Sequence, residues 1–196
     1  KQAVGVSALT PKGQLTVEAK VTVLAAGGMA TPVLLQRAGV FEAGQGFYVD
    51  PLIVTYGEYN GPGSSRDIPM TAGTLEFVPE GIVMTDLAYP WAQYLLNAFW
   101  KGWKYLPKFF GYPNVMGIMT KIRDGLNGRV NLDGTISKNI TNEERYKLDK
   151  GANLAEKILK RAGAKPESIY SAPIGAAHPG GTARIGHVVN SDLETQ

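Results

Sequence analysis

A strand that ends in a glycine pair constrains the fold of this chain more than any other feature of the sequence. Residues 3–9 and 14–24 are predicted to form a β-hairpin with its turn at 10–13, where Pro11 supplies the fixed φ that a turn prefers. The second strand alternates apolar and polar side chains and then becomes wholly apolar over 23–26. This change predicts a strand that enters a layer covered on both faces.

A short helix is predicted directly after Gly27 and Gly28, which break the strand. Its expected N-cap is Thr31, Pro32 occupies the first helical position, and Gly39 lies just past the end. A strand, a glycine pair and a capped helix are typical of α/β proteins that bring backbone atoms close to a cofactor. An ordinary tight turn between a strand and a helix explains these residues equally well.

The rest of the chain is predicted to contain further strands and one long helix. The helix over 142–162 has the clearest signature, because Thr141 and Glu144 form a capping-box pattern at its start. Asp133 and Gly134 predict a hairpin turn. Strands are predicted at 47–49, 52–56, 74–78 and 81–84 and within 116–140.

Aromatic side chains crowd residues 91–110, where their spacing predicts an amphipathic helix. Three interpretations stay open for this segment. It packs as a core or domain-packing helix, it lines an apolar substrate cavity, or it contacts a membrane surface. The aromatic residues are Trp91, Tyr94, Phe99, Trp100, Trp103, Tyr105, Phe109 and Phe110.

Charge and cysteine content exclude several classes of function. The net charge is only +3 and the basic residues are scattered, so no basic stripe indicates nucleic-acid binding. The chain has no cysteine, which excludes disulfides, thiolate metal sites and cysteine nucleophiles and favours a cytoplasmic location. No apolar run approaches the roughly 20 residues that cross a bilayer. The 24 glycines and 12 prolines indicate a loop-rich α/β protein.

Two histidines, His178 and His187, lie close together in the sequence, and His178 begins the run His-Pro-Gly-Gly-Thr. Proline and paired glycines make a turn with little side-chain bulk, which lets the imidazole and the backbone approach a ligand closely. His178 is therefore either a general base near neutral pH or a turn histidine bonded to a nearby carbonyl group. A metal site would need a third ligand, and the nearby acids follow no metal-binding spacing.

No other catalytic or cofactor motif is complete in this sequence. There is no G-x-S-x-G elbow and no G-x-x-x-x-G-K-[ST] loop. The glycine pairs at 44/46 and 61/63 lack the third glycine of a dinucleotide fingerprint. Cofactor binding therefore has no complete motif of its own here.

Two segments together resemble the glucose–methanol–choline (GMC) family of FAD-dependent oxidoreductases. Residues 21–40 are similar to the strand–glycine–threonine–proline–helix segment of that family's FAD domain. Residues 178–186 are similar to its H-x-x-G-T-x-x-M-G segment, with Ile185 in place of the usual methionine. Residues 46–51 resemble the stretch that joins the family's two domains, although Asp50 stands where a histidine is often found.

The resemblance implies an α/β (α+β) fold with a partial, Rossmann-like FAD-binding domain and a substrate domain of β-sheet and helices. Residues 1–46 would belong to the FAD-binding domain, 47–170 to the substrate-binding domain, and 171–196 to a truncated segment that returns to the FAD-binding domain. The G-x-G-x-x-G fingerprint and the family's second catalytic residue are not in this sequence. We therefore expect a fragment that alone neither binds FAD tightly nor turns over substrate, and whose partner is the missing FAD-domain segments of the same parent chain.

The resemblance also implies the chemistry and its residues. The intact parent would oxidise the CH–OH group of an alcohol, with His178 as general base and with hydride transfer to N5 of FAD. The aromatic segment favours a bulky or apolar alcohol. A stand-alone module that binds an apolar ligand without redox activity is the alternative. The residues implied to bind FAD are Ala26, Gly27, Gly28, Thr31, Gly181 and Thr182.

Overall fold

The computed structural model describes residues 3–195 and shows a mixed α/β protein, as predicted, whose sheets in that range are antiparallel. Short 3₁₀ segments lie at Val78–Glu80, Trp103–Asn114 and Pro166–Ser168. The strands and helices are β1 (Gly5–Thr10), β2 (Gly13–Glu18), α1 (Gly27–Arg37), β3 (Gln45–Phe47), β4 (Pro51–Glu58), β5 (Gly73–Thr74), β6 (Ile82–Asp86), α2 (Trp91–Lys101), β7 (Val115–Ile122), β8 (Gly128–Val130), β9 (Ile136–Ser137), α3 (Asn142–Arg161), β10 (Tyr170–Ser171) and β11 (Gly175–Ala176).

A central sheet contains most of the strands, in the order β10–β4–β7–β6–β5. β4 pairs with β7 on one edge, and β10 and β11 share its other edge. The strand is buried from Pro51 to Gly57 because both faces of the sheet are covered. Since β11 ends two residues before His178, this edge of β4 sets where the histidine lies.

Helix α3 covers one face of the central sheet. The predicted capping box is confirmed: Glu144 N donates to Thr141 Oγ1 over 3.2 Å, and Thr141 N donates to Glu144 Oε2 over 2.7 Å. Gly151 faces Thr120 of β7, and a Cβ at residue 151 would lie 2.1 Å from Thr120 Cγ2. The glycine therefore sets how closely the helix approaches the sheet. The apolar side chains between them are Ile53, Ile82, Met84, Ile122, Leu148 and Ala155.

Buried tyrosines cover the opposite face of the sheet. The rings of Tyr56 and Tyr94 meet edge to face with their centroids 4.9 Å apart, and the Tyr170 ring lies 5.4 Å from that of Tyr56. Asn97 Nδ2 donates to the Tyr56 hydroxyl over 2.9 Å. Burial raises the pKa of Tyr56 and that of Tyr170 well above the ordinary tyrosine value, because a phenolate would lose its hydration there.

The N-terminal hairpin forms, but its second strand is shorter than predicted. β1 and β2 pair with each other and with no other strand of the described residues, and β2 ends at Glu18. Residues 19–26 are not a strand, and Val21 and Val23 are 77% and 82% exposed. The predicted layer covered on both faces is therefore wrong for this segment. Its apolar side chains face solvent in the part of the chain that the structure describes.

Helix α1 begins earlier than predicted. Its first residue is Gly27 and its N-cap is Ala26, so Thr31 and Pro32 lie inside the helix rather than at its start. The helix has no side-chain cap, and the Thr31 hydroxyl instead accepts a hydrogen bond from Ala26 N over 3.0 Å from inside the helix. Gly39, with a φ of 98°, follows the end of the helix as predicted.

Two other predicted elements are shorter in the structure. The strand predicted at 74–78 is reduced to Gly73–Thr74, because a 3₁₀ turn begins at Val78. The aromatic helix ends at Lys101, since Gly102 has a φ of 127° and the 3₁₀ segment that follows contains two prolines. Helix α2 buries Tyr94, Asn97 and Ala98. No helix within residues 3–195 is long and apolar enough to cross a membrane.

The buried tyrosines predict how stability depends on alkaline pH. Unfolded tyrosines ionise near pH 10, whereas Tyr56 and Tyr170 stay neutral in the fold, so their contribution to stability is complete below about pH 10 and is lost as the pH rises. We expect the free energy of unfolding to fall above about pH 10, with these two residues contributing roughly 2.7 kcal/mol per pH unit.

Urea unfolding between about pH 9 and pH 11 measures this slope. Tyr56→Phe removes one ionisable group, so its slope should be smaller than that of the wild type by about 1.4 kcal/mol per pH unit. An identical slope in the variant would show that Tyr56 ionises as readily in the folded protein as in the unfolded chain.

Candidate functional site

The two segments that resemble the GMC family meet in the fold, at helix α1 and the turn 178–182. Pro32 has no backbone N–H, so the carbonyl group of Gly28, four residues earlier, lacks its normal helical donor. The buried side chain of Thr182 takes that place, because its Oγ1 donates to Gly28 O over 2.8 Å. Pro32 in the first segment therefore leaves the Gly28 carbonyl without a donor, and Thr182 in the second segment supplies one.

Glycines let the backbone of this turn lie directly against its neighbours. A Cβ at residue 28 would lie 2.4 Å from Pro179 O, and a Cβ at residue 181 would lie 2.2 Å from Gly46 O. Gly181 also has a φ of 80°, a left-handed conformation that glycine adopts without strain. Main-chain contacts with α1 on one side and with β3 on the other therefore hold the turn.

His178 is held at its backbone and at one ring nitrogen. The backbone N–H groups of Ala177 and His178 both donate to Val49 O, over 3.0 and 3.1 Å. His178 Nδ1 lies 3.1 Å from Asp50 Oδ2, and Lys121 Nζ lies 3.2 Å from the same oxygen. The imidazole is 65% exposed, and among the described residues no side chain or backbone group bonds its Nε2. His178 is therefore held through Nδ1 and leaves Nε2 open to a ligand.

A cavity of about 330 Å³ opens beside the same edge of the central sheet. Its walls are β4, residues 172–176 and helix α2. Trp100 and Tyr89 supply aromatic surface, whereas Gln93 and Asn97 supply polar groups, with Gln93 Nε2 donating to Asn97 Oδ1 over 3.2 Å. This volume lies at the lower end of the range of small-molecule sites, about 300–1,000 Å³. The aromatic segment thus contributes both to the core, through its buried face, and to a cavity wall.

A second hollow, of about 760 Å³, lies between α1 and the turn after β8. It is wide open and is lined by Gln36, Arg37, Phe41 and residues 131–133. It includes neither His178 nor any of the residues that the resemblance assigns to FAD. The smaller cavity includes none of these residues either, but its wall contains β11, which ends two residues before His178, so it is the better candidate for a substrate site.

Helix α1 presents its N-terminus at the surface next to the turn 178–182. Ala26 and Gly27 are exposed, and a Cβ at residue 27 would meet no atom within 4 Å. The first N–H groups of a helix have no partner inside the helix and carry partial positive charge, which suits a phosphate or a polarised carbonyl group. Small side chains at this edge leave room for a polar ligand, although the amide of Ala26 already donates to Thr31 Oγ1.

The structure brings only some of the predicted cofactor residues together. Gly28 contacts the turn that contains Gly181 and Thr182, while Ala26, Gly27 and Thr31 lie in the adjoining turns of α1. His187 is exposed, and its backbone N–H donates to Arg184 O over 3.2 Å.

Charged residues around His178 were not singled out by the sequence. Asp124 is almost fully buried, and both its oxygens accept from the backbone N–H groups of Val49 and Asp50, each over 3.2 Å. Lys138 Nζ lies 2.6 Å from Asp124 Oδ2. In the sequence, only Asp50 indicated this charged group, because it stands where the family often has a histidine. Asp124 and Lys138 belong to no motif.

Comparison with known proteins supports the N-terminal part of the resemblance. Residues 1–52 match the model of the GMC oxidoreductase family. The resemblance to the GMC oxidoreductases is confirmed over this segment. An uncharacterized protein of Methanocaldococcus jannaschii is 29% identical over 178 residues, which are 90% of this chain and 44% of that protein. The chain therefore spans less than half the length of this relative.

The contact between the two segments is open to a stability test. Thr182→Val is expected to destabilise the fold by about 1–3 kcal/mol, because it leaves the Gly28 carbonyl without a donor. Urea unfolding of the variant measures the loss, and Thr182→Ser, which keeps the hydroxyl, is expected to cost less.

The same substitution in a Pro32→Ala variant shows whether Pro32 is the reason that the Gly28 carbonyl needs Thr182 as its donor. In Pro32→Ala, the alanine N–H bonds Gly28 in the normal helical way, so Thr182→Val should cost at least about 1 kcal/mol less there than in the wild type. Equal costs in the two backgrounds would mean that the proline does not create the acceptor.

Proposed function

We propose that this chain is part of an FAD-dependent oxidoreductase that oxidises the CH–OH group of an alcohol. The contact between Gly28 and Thr182 carries the proposal, because it joins the two segments that resemble the GMC family into one surface. The family match over residues 1–52 supports the first of these segments. His178 lies at the start of the second segment and offers an exposed imidazole beside that surface.

His178 is the proposed catalytic base. Its Nε2 accepts the hydroxyl proton of the alcohol, and the hydrogen on the alcohol carbon leaves with its electron pair, so that a carbonyl compound remains. FAD, when bound, supplies the acceptor for that hydride. Asp50 Oδ2, 3.1 Å from His178 Nδ1, then faces the positive charge of the protonated imidazole and stabilises it.

The N-terminus of α1 and the turn 178–182 form the proposed edge of the FAD site. The open amides at Gly27 and the small residues around it would face the cofactor. The hydroxyls of Thr31 and Thr182 already bond Ala26 N and Gly28 O, so their proposed contribution is to keep this edge in shape. The full set proposed for FAD binding is Ala26, Gly27, Gly28, Thr31, Gly181 and Thr182.

We also propose the division into an FAD-binding part, residues 1–46 and 171–196, and a substrate-binding part, residues 47–170. An apolar cluster supports the pairing of the first two ranges, since it contains side chains from both. β11 still pairs with β4, so the return to the FAD-binding part follows Ala176. The cluster consists of Leu35, Ala43, Val188 and Val189.

The proposed substrate is a bulky or apolar alcohol that enters the cavity between β4 and α2. Trp100 and Tyr89 offer aromatic contact surface, and Gln93 and Asn97 offer hydrogen bonds to a polar group of the substrate. A module that binds an apolar ligand without redox chemistry would use the same cavity. It would not account for the joined GMC segments or for the tethered His178.

Further FAD-domain segments of the same protein are the proposed partner of the N-terminal hairpin. All six residues of β2 are exposed, and Leu9, Leu15 and Val17 are among the exposed apolar side chains of the hairpin. Apolar surface of this kind and open strand edges favour contact with further polypeptide. In the relative from M. jannaschii, more than half of the length lies outside the region matched by this chain.

Anaerobic reduction of the flavin by a panel of alcohols tests the function on the intact, FAD-loaded protein. His178→Ala is expected to slow flavin reduction by about 10²-fold or more, the size expected for the loss of a general base. His187→Ala is the matched control, because it removes the other, exposed histidine of the chain and should leave the rate unchanged.

Three results would contradict the proposal or the role of His178. If the intact protein carries no flavin, the alcohol-oxidising function is wrong and the apolar-ligand module takes its place. If His178→Ala is reduced as fast as the wild type, His178 is not the base, whereas the alcohol-oxidising function stands. An equal loss of rate in both histidine variants would assign the effect to the fold of the 178–187 region rather than to a base.

A further inference from the structure

Asp50 adopts a backbone conformation that is rare for a residue with a side chain. Its φ is 48°, in the left-handed region that favours glycine. A conformation of this kind persists only when the surrounding contacts hold it. Asp50 immediately precedes β4 and follows Val49, whose carbonyl group accepts the backbone N–H of His178. The unusual backbone therefore lies where the histidine is attached to the sheet.

The buried carboxylate of Asp124 holds this backbone in place. Its side chain is 1% exposed, and it accepts from Val49 N through Oδ2 and from Asp50 N through Oδ1. Lys138 Nζ, 2.6 Å away, balances the buried charge. Hydrogen bonds to an ionised acceptor are stronger than those between neutral groups, so this pair of contacts fixes the orientation of residue 50.

The fixed backbone directs the Asp50 carboxylate at His178 Nδ1, over 3.1 Å. Lys121 Nζ lies 3.2 Å from the same oxygen and forms a salt bridge with it. An ionised carboxylate only accepts hydrogen bonds, so the ring nitrogen that faces it must carry the hydrogen. A neutral imidazole has a single N–H, and His178 Nε2 is then left with a free lone pair.

We propose that Asp50 is a positioning residue that selects the Nδ1–H tautomer of His178 and so presents Nε2 as a proton acceptor. The inference rests on the proposed function, because a base that acts through Nε2 needs this tautomer. A histidine side chain in water without a partner favours the opposite tautomer, whose Nε2 already carries a hydrogen. Without Asp50, most of the neutral His178 would be unable to accept a proton at Nε2.

Nitrogen-15 labelling of the histidines tests the inference on the chain itself, with no cofactor present. The chain contains two histidines, so a long-range ¹H–¹⁵N spectrum has two imidazole patterns, and His187→Gln assigns them. At about pH 9, where an ordinary histidine is neutral, we expect His178 to carry its hydrogen on Nδ1.

Asp50→Gly is the decisive variant, because it removes the carboxylate and keeps a residue that tolerates the positive φ. We expect its His178 pattern to shift to the Nε2–H tautomer. Asp50→Asn, which is neutral and also tolerates positive φ, is expected to give a mixture of the two tautomers. Lys121→Gln is the matched control, since it removes the other partner of Asp50 and should leave the wild-type pattern.

Flavin reduction in the intact, FAD-loaded protein supplies the second measurement. Asp50→Gly is expected to slow reduction by roughly 10–100-fold, by analogy with the loss of a carboxylate that orients a metal-bound histidine. The alcohol concentration that gives the half-maximal rate should change little, because the substitution alters the proton acceptor and leaves the cavity intact.

The two measurements separate this inference from the function on which it rests. An unchanged Nδ1–H pattern in both Asp50→Gly and Asp50→Asn overturns the positioning role of Asp50. A changed tautomer with an unchanged rate of flavin reduction supports the positioning role and contradicts the catalytic role of His178 instead.

Discussion

The hydrogen bond from Thr182 to the carbonyl group of Gly28 is the contact on which the arrangement of the site depends. It exists because Pro32 cannot serve that carbonyl, and because Gly28 and Gly181 have no side chains to keep the backbones apart. Helix α1 and the histidine turn lie more than 140 residues apart in the sequence, yet this contact places them side by side. The exposed helix N-terminus and the imidazole consequently belong to one surface.

The other side of the turn depends on the edge of β4. Val49 O accepts the two N–H groups that lead into His178, and β11 pairs with the start of the same strand. Asp124, buried with Lys138, holds the backbone of Val49 and Asp50 from behind. The turn that begins at His178 thus contacts helix α1 on one side and the central sheet on the other. Most of these contacts are made by main-chain atoms.

Sequence patterns were sufficient where the controlling interactions are local. The capping box at Thr141, the turn at Gly134 and the glycine after helix α1 depend on neighbours a few residues away, and all three are present. The predicted start of α1 is wrong because Thr31 lies inside the helix, where its hydroxyl accepts from Ala26 N, and the residue type alone does not distinguish this position from an N-cap. The strand predicted up to residue 24 is wrong beyond Glu18. Apolar composition indicates that a segment is buried, but it does not identify the part of the protein that buries it.

The long-range part of the site was less accessible from the sequence. The order of the two GMC-like segments indicated that they act together, and the hydrogen bond between Thr182 and Gly28 is a physical reason for that pairing. Asp124 and Lys138 belong to no motif and lie far from Asp50 in the sequence; Asp124 is 74 residues away. Their contribution follows from the pairing of β4 with β7, which places the end of β7 beside the start of β4.

The main-chain attachment of the histidine turn has a consequence for how new specificities arise in this scaffold. His178, the proposed base, is anchored by backbone atoms and glycines, whereas the cavity wall on α2 is built from side chains such as Trp100 and Gln93. Substitutions on α2 are therefore expected to reshape the cavity without displacing His178. Under the proposed function, α2 is the natural target for libraries that seek new substrates.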